Sequence, residues 1–193
     1  SVSGIINTHF IVAYMLLQHG TEAQKQKYLP KMATGEIIGA IAMSEPAAGS
    51  DLQGVRTTAI RQGDHYLLNG SKTFITNGYH ADVVIVVCKT NPAAGAKGTS
   101  LLLVDRGMLG FEKGKRLKKI GLKAQDTSEL FFDNVKVPVE NLLGKENEGF
   151  IYLMTELPWE RMQIAIGAVA NAQSIIDSTV AYVRDRKVFG TTV

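Results

Sequence analysis

The 193-residue sequence predicts an α+β chain in which helices flank an antiparallel β-barrel or sandwich. Three observations carry that prediction. Apolar residues recur at helical spacing near both ends of the chain. Between them, short β-type runs alternate with Gly, Pro, Asn and Asp. These runs follow one another without helical stretches in between, which argues against βαβ units and for a barrel or sandwich. The pattern divides the chain into 1–35, 36–140 and 141–193.

The elements follow in order. Ile5, Ile6, Phe10, Val12, Ala13, Leu16 and Leu17 mark an amphipathic helix over Ser1 to Gly20, with His19-Gly20 as its C-cap. Thr21 opens a second helix, and Gln24 three residues later completes a capping-box pattern. Pro30 inside that helix predicts a kink or an early stop. Strands are expected at Ile37–Met43, Val55–Ile60, Tyr66–Gly70, Lys72–Thr76, Val83–Lys89, Ser100–Asp105, Phe111–Leu117 and Glu129–Val135, with a hairpin turn at Gln62-Gly63-Asp64. After Pro138 the helical period returns. Gly149 to Glu156 begins it, and Pro158-Trp159-Glu160-Arg161 has the composition of a helix first turn. Ala165, Ala168, Val169, Ala172, Ile175, Ile176, Val180 and Val183 then form one apolar face.

Composition excludes several classes. With 45% hydrophobic and 20% charged residues, the chain is ordinary globular material, neither disordered nor collagen-like. No unbroken apolar run approaches the roughly 20 residues of a membrane span. Cys88, the single cysteine, has no intrachain partner, and His9, His19, His65 and His80 show no metal-ligand spacing, so no metal is expected. Lys113, Lys115, Arg116, Lys118, Lys119 and Lys123 crowd together. They read as a phosphate-seeking patch or, in preference, as a solvated strand edge. No aromatic interleaving supports nucleic-acid stacking. The sequence lacks an initiator Met and a closing element after Phe189-Gly190-Thr191, which points to a piece of a longer protein.

The most unusual segment is Ile41-Ala42-Met43-Ser44-Glu45-Pro46-Ala47-Ala48-Gly49-Ser50-Asp51-Leu52-Gln53-Gly54. A strand runs into a turn of Pro, small residues and Gly, leaving backbone N–H groups and the Ser44 and Ser50 hydroxyls available to a polar ligand. On spacing alone, a β-turn tied down by Ser and Asp side chains is the preferred reading. Neither a Walker motif nor G-x-G-x-x-G is present.

The run Ala42 to Asp51 resembles the signature of the acyl-CoA dehydrogenases, flavoproteins of fatty-acid and branched-chain oxidation. The similarity extends through Asn69 to Gly78, Gly121-Leu122-Lys123, Asp126-Thr127 and Arg186-Lys187-Val188-Phe189-Gly190. The resemblance implies the end of an N-terminal helical domain, a complete middle β domain and the first helix of an incomplete C-terminal bundle. It implies FAD as cofactor. Ile41, Ala42, Met43 and Ser44 would lie along the flavin, with the Ser44 hydroxyl at its pyrimidine edge. Gly49 and Ser50 would approach the pyrophosphate, and Ser50 would also touch the CoA portion of the substrate. Phe74 falls where many members carry Trp, so it would cover the ring face. Ile75 follows it, and Thr76 is similar to the hydroxyl that bonds flavin N5. Arg186 and Phe189 match a motif that reaches FAD from a neighbouring subunit, implying a homo-oligomer, in the family usually a tetramer. Ala47 departs from the Gly common there, and a positive φ at that site would strain it.

The implied reaction removes an α-proton from an acyl thioester and transfers a β-hydride to flavin N5, giving the trans-2-enoyl-CoA. Most members carry their catalytic Glu in a C-terminal loop beyond this chain. The long-chain and isovaleryl branches place it early in the first C-terminal helix, just before an Arg, where Glu160-Arg161 stands. Glu160 is therefore the expected base, with Arg161 as a substrate-positioning group. Glu156 is its nearest competitor, Glu45 is expected to be structural, and Asp51 to cap its turn. An electron-transfer flavoprotein is the implied acceptor. An acyl-CoA oxidase is the enzymatic alternative, and a truncated β-domain association module the non-catalytic one. The compartment would be cytoplasmic in a bacterium and the mitochondrial matrix in a eukaryote. Exposure of the 165 to 183 face and self-association are also expected.

Overall fold

A computed structural model describes residues 2–192, which form two compact units, 1–153 and 154–193. In the first, helix α1 (Val2–His19) ends where the Gly20 amide donates to the Leu16 carbonyl at 2.8 Å. Helix α2 (Glu22–Thr34) starts with the expected capping box. The Gln24 amide donates to Thr21 Oγ1 at 3.2 Å, and the Thr21 amide donates to Gln24 Oε1 at 3.0 Å. Gln24 Nε2 also donates to the Glu140 and Leu142 carbonyls, at 2.7 and 2.9 Å, which pins α2 to a distant stretch of the chain. An early stop at Pro30, one of the two expected outcomes, does not occur in α2. The ring removes only the bond to the Gln26 carbonyl, and both residues face solvent, so water replaces it. The helix runs on to Gly35, which caps it at φ 78°.

Eight strands form one sheet: β1 (Gly39–Ala42), β2 (Thr58–Gln62), β3 (His65–Thr76), β4 (Val83–Lys89), β5 (Thr99–Asp105), β6 (Phe111–Arg116), β7 (Thr127–Pro138) and β8 (Leu142–Leu143). Their order is β6-β7-β3-β2-β4-β5-β8, with β1 also on β4. Pairing is antiparallel except on one edge of β4, where β1 lies parallel over Gly39–Ala42 and β2 touches in parallel at Thr58 and Lys89. The slot between β3 and β4 is thus filled by two segments in succession. The signature loop is the excursion between them. One apolar cluster takes Val84, Val86, Leu102 and Val104 from β4 and β5 and Leu130, Phe132, Val135 and Val137 from β7, so strands from both ends of the order share a core and the sheet curls around it. The hairpin at Gly63-Asp64 closes Gln62 on His65, as expected.

Two expected strands, Tyr66–Gly70 and Lys72–Thr76, are one strand. Gly70, at φ 151°, lets β3 pass Thr57, whose side chain and Cα fill the space a Cβ would need. In α3 (Gly149–Asp185), Pro158 is likewise internal and does not open a new helix. Its ring removes the bond to the carbonyl of Met154, an exposed residue. This corrects the placement of Glu160, which lies about three turns inside the helix and not in its first turn. Among the described residues α3 is the one helix long and apolar enough to cross a bilayer. Its apolar residues are spread at helical spacing and interrupted by Asn171, Gln173 and Asp177, so the run-based reading did not register it. In the second unit, β9 (Lys187–Val188) and β10 (Thr191–Thr192) make a hairpin turned by Phe189-Gly190.

Candidate active site

The segment after β1 is shaped by one buried ion pair. Glu45 Oε1 accepts from Lys72 Nζ at 2.9 Å and from the Thr57 amide at 3.0 Å, and Oε2 accepts from the Arg56 amide at 2.7 Å. Lys72 Nζ also donates to the Met43 carbonyl at 3.0 Å. The side chains of Lys72 and Glu45 are 0% and 6% exposed, so this pair ties the entrance of the loop, Met43 and Glu45, to its exit, Arg56 and Thr57. Burial alone would raise the Glu45 carboxyl. The Lys72 charge and the three donors outweigh it and hold that carboxyl below the usual carboxylate value. Glu45 is therefore structural, as expected. Its partner carried no signal in spacing, although a Lys inside an otherwise strand-like run was visible.

Within the clamp, Glu45 and Ala48 exchange backbone bonds of 2.8 and 3.1 Å around Pro46-Ala47. Ala47 is absent from the positive-φ residues, so its side chain is accommodated and the anticipated strain does not arise. Asp51 accepts from the Gln53 amide at 3.1 Å and caps the short 3-10 turn Leu52–Gly54, as expected. Gly49 needs no left-handed backbone, and a Cβ there would meet nothing within 4 Å. The chain itself makes no demand for glycine there. The Ser44 and Ser50 hydroxyls make no hydrogen bond among the described residues. The Met43 and Ser44 carbonyls are already taken, by Lys72 Nζ and by the Thr73 amide at 3.0 Å. Hydroxyls and amides are what this rim offers a ligand.

That Ser44–Thr73 bond sets Ile41–Ser44 beside the end of β3, where Phe74, Ile75 and Thr76 stand. The register of β3 on β7 slips between Lys72 and Ile75, and in that bulge Phe74 adopts φ 58° with 69% of its surface exposed. Ile75 turns inward to the core. Thr76 Oγ1 accepts from Gln125 Nε2 at 3.2 Å, which leaves its hydroxyl proton to donate elsewhere. Gln125 was not singled out in the sequence. It also lines a cleft of about 500 Å³ with His80, Arg116, Lys118, Lys119 and Lys123. The preferred reading of those lysines agrees with their placement. β6 is an edge of the sheet, Lys119 Nζ donates to the Gln125 carbonyl, and Arg116 lies over the Tyr79 ring.

The second unit carries the remaining candidates. Glu160 is partly buried, and its Oε1 is enclosed without a partner among the described residues. Burial, reinforced by the Glu156 charge and opposed by Arg161, raises its carboxyl above the ordinary value. Such a carboxylate has proton affinity and an open valence, which is what a base requires. Arg161 is exposed and makes no ion pair among the described residues. Arg186 donates to the Tyr182 hydroxyl at 2.6 Å. Phe189 sits at φ 52° in the hairpin turn and is fully exposed. Metal-binding clusters of His, Cys, Asp and Glu do not occur among the described residues.

The first unit thus presents a curled β domain with an ion-pair-clamped loop, an outward aromatic and a neighbouring hydroxyl, and the second a helix with a partly buried carboxyl. Comparison with known proteins gives the family. Residues 40–135 match the acyl-CoA dehydrogenase middle domain, 147–193 the C-terminal domain and 1–36 the N-terminal domain. The chain belongs to the acyl-CoA dehydrogenase family. It is 55% identical over 185 residues to the mitochondrial long-chain specific acyl-CoA dehydrogenase of Rattus norvegicus, covering 95% of this chain and 43% of that protein. It is 46% identical over 180 residues to the mitochondrial isovaleryl-CoA dehydrogenase of Pongo abelii, covering 92% of this chain and 43% of that protein. A crystal structure of acyl-CoA dehydrogenase from Geobacillus kaustophilus superposes with a TM-score of 0.92 at 53% identity, over 94% of this chain and 48% of that one. The chain spans less than half the length of these relatives.

Proposed function

We propose that this chain carries the flavin-facing β domain and the base-bearing helix of an FAD-dependent acyl-CoA dehydrogenase of the long-chain type, acting in fatty-acid β-oxidation. The observation that carries the proposal is Glu160, whose enclosed carboxylate oxygen has no partner among the described residues and whose burial favours taking up a proton. In this role Glu160 removes the α-proton of the thioester, and Arg161 helps to position the substrate. FAD, when bound, supplies the hydride acceptor for the β-carbon and so completes formation of the trans-2-enoyl-CoA. Phe74 would cover one face of that group, the Thr76 hydroxyl would donate toward it, and Ile41, Ala42, Met43, Ser44 and Ile75 would form its wall. Gly49 and Ser50 meet its pyrophosphate by amide and hydroxyl, and Ser50 also meets the CoA portion. The fit is supported by the open space over Gly49 and by the exposed, left-handed Phe74.

The same resemblance supports Arg186 and Phe189 as contributions to a neighbouring subunit's cofactor, in a homo-oligomer that is a tetramer in the longer protein. On this reading the chain divides into a helical segment over 1–35, a β domain over 36–140 and a second helical segment over 141–193. Electrons pass to an electron-transfer flavoprotein, and the location is the matrix of a mitochondrion or the bacterial cytoplasm. The test is an absorption spectrum of the chain after FAD addition and desalting, followed by anaerobic acyl-CoA. Retained flavin absorbance that bleaches is expected. Flavin lost on desalting overturns the cofactor assignment, and rapid reoxidation by O2 in the absence of another acceptor replaces the dehydrogenase by an oxidase.

A further inference from the structure

Helix α3 carries a second carboxyl that the proposed chemistry leaves without a task. Glu156 precedes Glu160 by four residues on a continuous helix, so the two side chains leave the same face with Cβ atoms about 5–6 Å apart. Glu156 is 6% exposed and forms no ion pair or side-chain hydrogen bond among the described residues. The charged groups that act on Glu160 are Glu156 and Arg161, both on α3, and only burial acts on Glu156. Arg161 is exposed and lies about 100° further round the helix, and its charge offsets the pair only in part, since the Glu160 carboxyl stays raised. Two enclosed carboxyls one turn apart, without a cation between them, cannot both ionise cheaply.

We propose that Glu156 and Glu160 form a coupled carboxyl pair that holds one proton between them, with Glu156 as the positioning residue that sets the proton affinity of the base. The proposal rests on Glu160 being that base. Loss of Glu156 leaves Glu160 a lone carboxyl, more acidic and a weaker base, even where the helix is undisturbed. Replacement by Asp keeps the charge and retains most of the coupling.

The pair is read directly by ¹³C NMR titration of the Glu side-chain carboxyls in the purified chain, with resonances assigned from Glu156→Gln and Glu160→Gln. The Glu160 midpoint is expected to fall by about one pH unit in Glu156→Gln, a tenfold loss of proton affinity, and to stay near its original value in Glu156→Asp. Glu156 ionises first, opposite a neutral Glu160, so its midpoint is expected to hold in Glu160→Gln, and Glu156→Ala gives the same reading of Glu160 should Glu156→Gln fold poorly. A Glu160 midpoint that ignores loss of the Glu156 charge overturns the pair. This titration requires no flavin, so its failure is distinct from that of the base assignment, which falls if FAD-loaded Glu160→Gln bleaches with acyl-CoA like the parent chain.

Discussion

Phe74 is held in the left-handed region at φ 58°, a conformation that costs a bulky residue on the order of 1–3 kcal/mol, and its exposed ring recovers little of that by burial. Asn tolerates this backbone better. Phe74→Asn is therefore expected to lower the unfolding free energy from urea titration by no more than about 0.5 kcal/mol, or to raise it, while flavin retention falls severalfold. A large loss of stability would instead make the ring a packing element. The Glu45–Lys72 pair behaves oppositely. Lys72→Met leaves a buried carboxylate without its cation and is expected to cost about 3–5 kcal/mol in equilibrium unfolding. The pair also sets an acid dependence. The Glu45 carboxyl is held below its unfolded value, so its stabilising contribution is complete above the ordinary carboxylate value and disappears as pH falls through the folded one. Urea midpoints of the parent chain and Glu45→Gln should converge on acidification from neutral pH to about 3, and a constant gap would contradict the assignment.

At the scale of elements, the apolar stripe of α3 is open. Val169, Ile175, Ile176 and Tyr182 are 71%, 65%, 56% and 59% exposed. Surface of this kind favours association. In sedimentation velocity the parent chain should show concentration-dependent species that Ile175→Lys diminishes, and a monomer at all concentrations would contradict this. The helices, their capping box and most strands were legible because each rests on local chemistry: periodicity, a Thr with a Gln three residues on, and turn residues between apolar runs. Pro30 and Pro158 misled because the rule for proline counts a lost hydrogen bond without knowing that the orphaned carbonyl faces water. The joining of two strands across Gly70 was hidden because its cause is Thr57, distant in sequence and packed against the glycine. The parallel seat of β1 on β4 was hidden for a similar reason, since strand direction within a sheet has no local signature.

For the whole molecule, the helix, β domain, helix order and the position of the signature loop were readable from one sequence. The couplings that hold the site were not. Glu45 to Lys72, Thr76 to Gln125 and Ser44 to Thr73 each join residues separated along the chain, and only the folded sheet brings them together. On the proposed reading the chemistry depends on Glu160, whose carboxyl burial and the neighbouring Glu156 raise above its ordinary value. Catalytic rate per bound flavin should thus rise with pH along a limb that lies above the ordinary carboxylate range, because the base acts only when ionised. The most direct measurement compares the anaerobic bleaching of bound FAD by an acyl-CoA in the parent chain and in Glu160→Gln, at equal flavin occupancy. Bleaching in the first and at least a hundredfold slower bleaching in the second is the predicted result, the scale of a lost general base. Equal bleaching in both would contradict it and place the base elsewhere.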